Sequence, residues 1–196
     1  MSLFIKKNTK VLICLLIVLS LSVIPYLNSL HGEFIYDDFL AIKNNPNVNE
    51  KASLAKIWTS DFWGANFKVS HIKTYRPLTT LSFRINHIFS GNKVFSYHLI
   101  NILLHSLVCL LFFLFTYFYV LKDKFFALMA ASLFAVHAIH TESVASLVGR
   151  ADVLAAVFFL AGLLSYAYSS AKNSLIGIFL AVIFGIVSFL SKEHAI

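Results

Sequence analysis

The feature that most constrains this chain is a set of apolar stretches unbroken by charge, the first covering residues 11–30. At roughly 1.5 Å per residue such a stretch matches a hydrocarbon core about 30 Å thick, which is longer than a soluble core requires. Further stretches occupy 96–120, 125–140, 153–170 and 175–191. Only 13% of residues are charged and the mean hydropathy is +0.79, against roughly 25% charged in soluble domains. The chain is therefore expected to be an all-α polytopic membrane protein with about five transmembrane helices, and a soluble globular fold is excluded. Cys14 and Cys109 both lie inside apolar stretches, so neither a disulfide framework nor a thiolate metal site is expected.

The net charge of +7 is spread along the chain, with no dense block of Lys and Arg between aromatics, so nucleic acid is not an expected partner. It reads instead as membrane topology and contact with anionic lipid. Lys6, Lys7 and Lys10 precede the first span, making residues 1–10 a cytoplasmic tail. Lys122 and Lys124 in one turn and Lys172 in another fall on that same side. A cleaved leader also begins with lysines, but this run exceeds an h-region and no small-x-small site follows it. The segment 31–95 then lies on the luminal or periplasmic face, long enough that its Lys and Arg escape the positive-inside rule. Within it, Asn44, Asn45 and Pro46 mark a turn. Asn49 is expected to cap a helix through Trp58, with Leu54, Ile57 and Trp58 on one face. Pro77 suits a helix start and Gly91 a stop, with Leu78, Leu81, Ile85 and Ile88 at helical spacing between them. Both read as interfacial helices.

Asp37 and Asp38 are the only adjacent acidic pair, just beyond the first span. Two carboxylates crowded at a partly dry surface separate in pKa, which suits a general base; a solvated pair or a helix cap is the plain alternative. Arg76 opens the second surface helix, where free N–H groups also favour a phosphate, and His71, Lys73 and Arg84 extend a basic cluster toward the same face. Snorkelling beside anionic lipid explains the same pattern. His98, Asn101 and His105 form a polar stripe on an apolar helix, either hydrogen-bond glue or a site lining. His137, His140 and Glu142 end the third span, and Arg150 and Asp152 begin the fourth. Arg150 with Asp152, and Lys192 with Glu193, have the spacing of local ion pairs. Zinc is not expected, because the ligand pattern of known zinc sites is absent. All these groups lie on one side of the membrane, which disfavours a transporter, whose polar groups sit at the midplane of related halves.

The chain resembles the transmembrane and tetratricopeptide-repeat (TMTC) family of protein O-mannosyltransferases, of the GT-C class, over its amino-terminal membrane half. The resemblance rests on Tyr36-Asp37-Asp38, Asn45-Pro46, Asp61-Phe62-Trp63-Gly64, Ser70-His71, Tyr75-Arg76-Pro77-Leu78-Thr79, Phe83-Arg84-Ile85-Asn86, His98-Leu99-Ile100-Asn101 with His105, Phe134-Ala135-Val136-His137, Ile139-His140-Thr141-Glu142, Val148-Gly149-Arg150-Ala151-Asp152 and Ser191-Lys192-Glu193, in order along the chain. Ala138 stands where the family usually has proline, and Ala195 where it usually has glycine. Family members continue into more spans and a tetratricopeptide array, so the chain reads as a piece of something longer.

The resemblance implies a GT-C-like helical membrane domain whose large luminal first loop is of the catalytic type. It implies inverting transfer of mannose from dolichyl-phosphate mannose to Ser or Thr of secretory-pathway, cadherin-type ectodomains in the endoplasmic reticulum membrane, a bacterial inner membrane being the alternative. It also implies Asp37, ahead of Asp38, as base. Arg76, His137, His140, Glu142, Arg150 and Asp152 become candidate phosphate and sugar ligands, with no metal or other cofactor required. The competing class is a non-catalytic scaffold or inactive regulatory paralogue, and the acidic pair discriminates between the two.

Overall fold

The computed structural model describes residues 2–49, 51–66 and 74–193. His71, Lys73 and Ala195 lie outside the described residues. The apolar stretches form helices, as hydrocarbon demands, because only a helix satisfies every backbone N–H and C=O within its own segment. Helix α1 spans Ser2–Val23 and continues as a 3₁₀ segment, Ile24–His31, the change falling where Pro25 lacks an N–H to continue the α pattern. Helix α2 is Pro77–Ser90, and α3 is Val94–Phe115, extended by one π turn, Thr116–Val120. The remainder are α4, Lys124–Val136; α5, His140–Ala145; α6, Arg150–Lys172; and α7, Leu175–Ser191. Among the described residues the only β pairing is an isolated bridge between Ser60 and Asn66. The result is an all-α membrane protein.

Among the described residues three helices are long and apolar enough to cross a membrane: Thr9–His31, Val94–Val120 and Arg150–Lys172. The two shorter apolar helices, α4 with 13 residues and α7 with 17, measure about 20 and 26 Å at 1.5 Å per residue. The expected third span through His140 ends instead at Val136, and His140 opens the separate helix α5. Residues 137–139 make the turn between them, with the His137 imidazole Nδ1 accepting from the Ile139 N–H at 3.2 Å. At the other end Asp123 caps α4 by accepting from the N–H groups of Phe125 (2.8 Å) and Phe126 (3.1 Å).

Packing follows residue size. Ala127, Ala131 and Ala135 repeat every fourth position on α4 and are wholly buried against Cys14 and Val18 of α1 and Cys109 and Phe113 of α3. Small residues in that register let backbones approach where lipid offers no hydrophobic drive. A second cluster joins Tyr26, Ile102, Val144, Val153 and Val157 between α1, α3, α5 and α6. Helices α6 and α7 form a hairpin turned at Asn173, whose φ of 52° is the left-handed C-cap conformation. Gly177 sits so close to α6 that a Cβ there would lie 2.7 Å from the Ser169 Cβ.

The segment before α2 has its own core of Ala41, Ile42, Val48, Phe62, Phe83, Tyr97 and Leu147. Asn45 is its polar knot. Wholly buried, its amide donates to the carbonyls of Ala41 (3.1 Å) and Phe62 (2.9 Å) and accepts from the Asn47 N–H (2.9 Å). Two expectations are corrected here. The helix expected after Asn49 is a 3₁₀ turn, Leu54–Trp58, begun at Ser53; Ile57 is buried beneath it while Leu54 and Trp58 face outward, so the three do not share a face. Arg84 joins no exposed basic cluster. It turns inward and donates to the carbonyls of Asn47 (3.2 Å) and Ala52 (2.8 Å). Helix α2 is inverted relative to a soluble surface helix: Thr79, Thr80, Phe83, Arg84 and Asn86 are buried, while Ile85, Ile88 and Phe89 face out. An outward apolar stripe over a polar interior is what a helix bordered by lipid requires.

Candidate functional site: a polar cleft at one end of the bundle

Alternation of helix direction brings the end of α1, the starts of α2, α3 and α6, the short α5 and the end of α7 to one end of the bundle. A cleft of about 410 Å³ opens there, lined by Asp37, Arg76, Glu142, Ser143, Asp152 and Lys192 among others. Five of these six residues are ionisable, and they come from five separate segments of chain.

The acidic pair splits by direction. Tyr36 takes a positive φ of 41°, a conformation uncommon outside glycine, and the turn leaves Asp37 exposed on the cleft wall while Asp38 points inward. The Asp38 Oδ2 accepts the Ile35 N–H at 3.1 Å. Burial raises the Asp38 pKa above the usual carboxylate range, the neighbouring Asp37 charge adds to this, and backbone N–H groups of Ile35 and Val148 oppose it.

The cations are held by carboxylates distant in sequence. Arg76 makes a two-pronged pair with Glu193, Nε to Oε2 at 2.9 Å and Nη2 to Oε1 at 3.0 Å, and its guanidinium lies over the Phe62 ring, 5.0 Å from the centroid. Lys192 pairs with Asp152. The pairings expected from sequence, Arg150 with Asp152 and Lys192 with Glu193, are thereby corrected: each partner is taken by a residue on another helix. Thr79 fastens the same corner by donating to the Ser191 carbonyl at 2.8 Å.

Arg150 is not brought to the cleft. It is wholly buried, with Nε donating to Asn101 Oδ1 (2.8 Å) and Nη2 donating to Asn86 Oδ1 (3.0 Å) and to the Tyr97 carbonyl (3.0 Å). Its guanidinium stacks on Phe83 and Tyr97, 4.5 and 5.6 Å from their ring centroids. It joins α2, α3 and α6, so a bound phosphate would not reach it. Asn101 completes the joint by donating to the Ser146 carbonyl at 3.0 Å, beneath the α5–α6 turn.

The histidines form a second group. His140 packs against Phe134 and His105, with ring centroids 4.4 and 5.4 Å away, and lines a smaller cavity of about 110 Å³ that shares Ser143 and Asp152 with the cleft. Burial, then the nearby His137, holds the His140 imidazole below its ordinary pKa. His137 itself is exposed and lines neither cavity. Of the polar stripe on α3, Asn101 and His105 act as glue, His105 Nε2 lying 3.3 Å from the Ala135 carbonyl. His98 is buried with neither ring nitrogen hydrogen-bonded. Among the described residues no three of His, Cys, Asp and Glu gather as metal ligands.

Sequence reasoning assigned Lys192 only to a local pair and so missed its place on the cleft wall. The available signal was its position just past an apolar stretch that ends on the same side as Asp37. Gly149 was read as motif without a role; a Cβ there would lie 2.5 Å from the Ser143 carbonyl oxygen, so glycine alone lets α5 fold onto the start of α6.

Fold and cleft together define a polytopic helical membrane protein with a cluster of ionisable groups at one end of its helix bundle. The chain is 39% identical over 191 residues to protein O-mannosyl-transferase F38B6.6 of Caenorhabditis elegans, covering 93% of this chain and 26% of that protein. It is 49% identical over 143 residues to human protein O-mannosyl-transferase TMTC2 (72% of this chain, 17% of the relative) and 43% identical over 188 residues to human TMTC1 (89% and 21%). The chain belongs to the TMTC protein O-mannosyl-transferase family. It spans about a quarter or less of the length of these relatives. No family model and no solved structure matches it.

Proposed function

We propose that this chain forms the donor-handling membrane part of a protein O-mannosyltransferase that moves mannose from dolichyl-phosphate mannose to a Ser or Thr hydroxyl of a secretory-pathway protein, cadherin-type ectodomains among them. The observation that carries the reading is the cleft itself, where an outward Asp37 shares a wall with Arg76 and Lys192. In this reading the cleft opens to the lumen of the endoplasmic reticulum, residues 1–10 are cytoplasmic, and the five apolar helices all cross or enter the bilayer.

The chemistry is an inverting displacement. The Asp37 carboxylate accepts the proton of the acceptor hydroxyl as its oxygen attacks the anomeric carbon, and the bond from that carbon to the phosphate oxygen breaks, releasing dolichyl phosphate. Arg76 and Lys192 stabilise the charge that develops on the leaving phosphate. In the described state both cations are engaged by Glu193 and Asp152. A phosphate with its denser charge displaces these carboxylates, and Glu142 with the released Asp152 is left to orient sugar hydroxyls. Asp38, buried and poorly disposed to ionise, holds the turn that presents Asp37.

The test is mannosyl transfer from radiolabelled dolichyl-phosphate mannose to a cadherin ectodomain, with this chain replacing the matching segment of human TMTC2. Asp37→Asn is expected to lower the rate at least ~100-fold, the scale of a lost general base, and Arg76→Gln to raise KM for the donor. Full activity in Asp37→Asn, with protein levels unchanged, would sink the catalytic reading and leave a non-catalytic scaffold.

A further inference from the structure

A second hollow, separate from the cleft, lies in the segment before α2. It has a volume of about 190 Å³ and is lined by Asn47, Lys51, Lys56, Thr59 and Ser60 among others, with no carboxylate among the described residues of its wall. Arg84 is not on this wall but holds two of its residues, donating to the backbone carbonyls of Asn47 and Ala52. On the wall, Asn47 Nδ2 is buried without an acceptor, and so is Nε of the Arg84 that holds the Asn47 carbonyl; the two residues are 1% and 8% exposed. Buried donors without acceptors are rare in folded proteins, and a site that gathers them beside two ammonium groups is short of one thing, an oxyanion.

The surroundings point to where that anion comes from. Lys56 sits on the 3₁₀ turn Leu54–Trp58, whose Leu54 and Trp58 are 56% and 48% exposed. Helix α2, which supplies Arg84, turns Ile85, Ile88 and Phe89 outward. Trp and Lys side by side with outward aliphatic groups are the composition of a membrane–water interface, where apolar parts enter the acyl region and cations meet phosphates. We propose that this hollow binds the phosphate of an anionic phospholipid headgroup, with Lys51 and Lys56 at its mouth and Leu54 and Trp58 seated in the adjoining acyl layer. The site fixes the loop that carries the Asn45 knot against the bilayer, and it does so independently of any sugar transfer.

The experiment uses the chain purified in a neutral detergent, titrated with short-chain phosphatidic acid, phosphatidylcholine of equal chain length, inorganic phosphate and a hexaglutamate peptide. Tryptophan emission is the readout, since Trp58 is one of only two tryptophans. Phosphatidic acid is expected to give a saturable blue shift that phosphatidylcholine does not, with inorganic phosphate competing only at concentrations at least ~10-fold higher, the lipid gaining from its buried chains. Lys51→Gln/Lys56→Gln is expected to weaken phosphatidic acid binding at least ~10-fold, consistent with the worth of two interfacial cations, while Lys122→Gln/Lys124→Gln leaves it unchanged; circular dichroism checks that both variants keep their helices. Equal affinity for phosphate and lipid would assign a free-ion site and overturn the proposal. So would displacement of the lipid by hexaglutamate, which would assign a protein partner, or binding that survives the Lys51 and Lys56 substitutions.

Discussion

Arg150 is the residue on which three helices converge, and its partners are carbonyls, amide oxygens and two aromatic faces rather than a carboxylate. A flat, forked cation is needed to serve that set; an ammonium offers neither the stacking plane nor the spread of donors. Arg150→Lys is expected to destabilise the fold by roughly 2–4 kcal/mol, since an ammonium leaves one or more of these buried acceptors without a donor at about 1–3 kcal/mol each, measured as loss of thermal stability in detergent. A second residue-scale prediction concerns acid. Because the folded His140 has a lowered pKa, the unfolded chain binds its proton first, near pH 6.5. The stability it contributes is therefore complete above that value and is lost as pH falls toward the folded pKa. Replacing His140 by Phe should flatten the decline of melting temperature below about pH 6.5. The polar stripe His98, Asn101 and His105 was legible from spacing, but Arg150 was not legible as a hub, because nothing local to it names Asn86, Tyr97 or Asn101 as partners.

At the scale of elements, the connection between α5 and α6 is decided by contact distance. A side chain on Gly149 would press into backbone atoms of Ser143 and Glu142, 2.5 to 2.7 Å away, which cannot give way as a flexible side chain would. Gly149→Ala is expected to cost about 1–3 kcal/mol, typical of overpacking, and to loosen the cleft wall. The check is protease sensitivity between α5 and α6 alongside thermal unfolding. The helical nature of the long apolar runs was readable in advance, since length and uniform hydropathy leave no other structure. Two finer readings were not. The break at Val136 depends on α5 packing under α3 and α6, and the turn at Leu54–Trp58 is set by burial of Ile57 rather than by a capping residue. The outward stripe of α2 was readable as a period, but which side faced the protein was not.

For the whole molecule, the starts of α2 and α6 and the end of α7 are clasped by two ion pairs that cross between elements. Arg76→Glu is expected to lower stability by about 1–2 kcal/mol, above the range of a fully exposed pair because this one is two-pronged and largely buried. Adding Glu193→Arg should recover most of that loss in a double-mutant cycle. If Arg76 also meets the donor phosphate, the swapped pair restores melting temperature without restoring mannosyl transfer, which separates a clasp from a ligand.

The sequence alone determined the class of fold and the family. Apolar runs of bilayer length compel helices in lipid, and the motifs from Tyr36-Asp37-Asp38 to Ser191-Lys192-Glu193 carried a resemblance to the TMTC family that relatives 39–49% identical bear out. Tertiary structure alone decided which charges meet. Residues one or two apart on a helix point in different directions, so Arg150 and Asp152 diverge, one into the core and one onto the cleft wall. The antiparallel return of α7 then sets Lys192 beside Asp152 and carries Glu193 to Arg76, neighbours that no local spacing specifies.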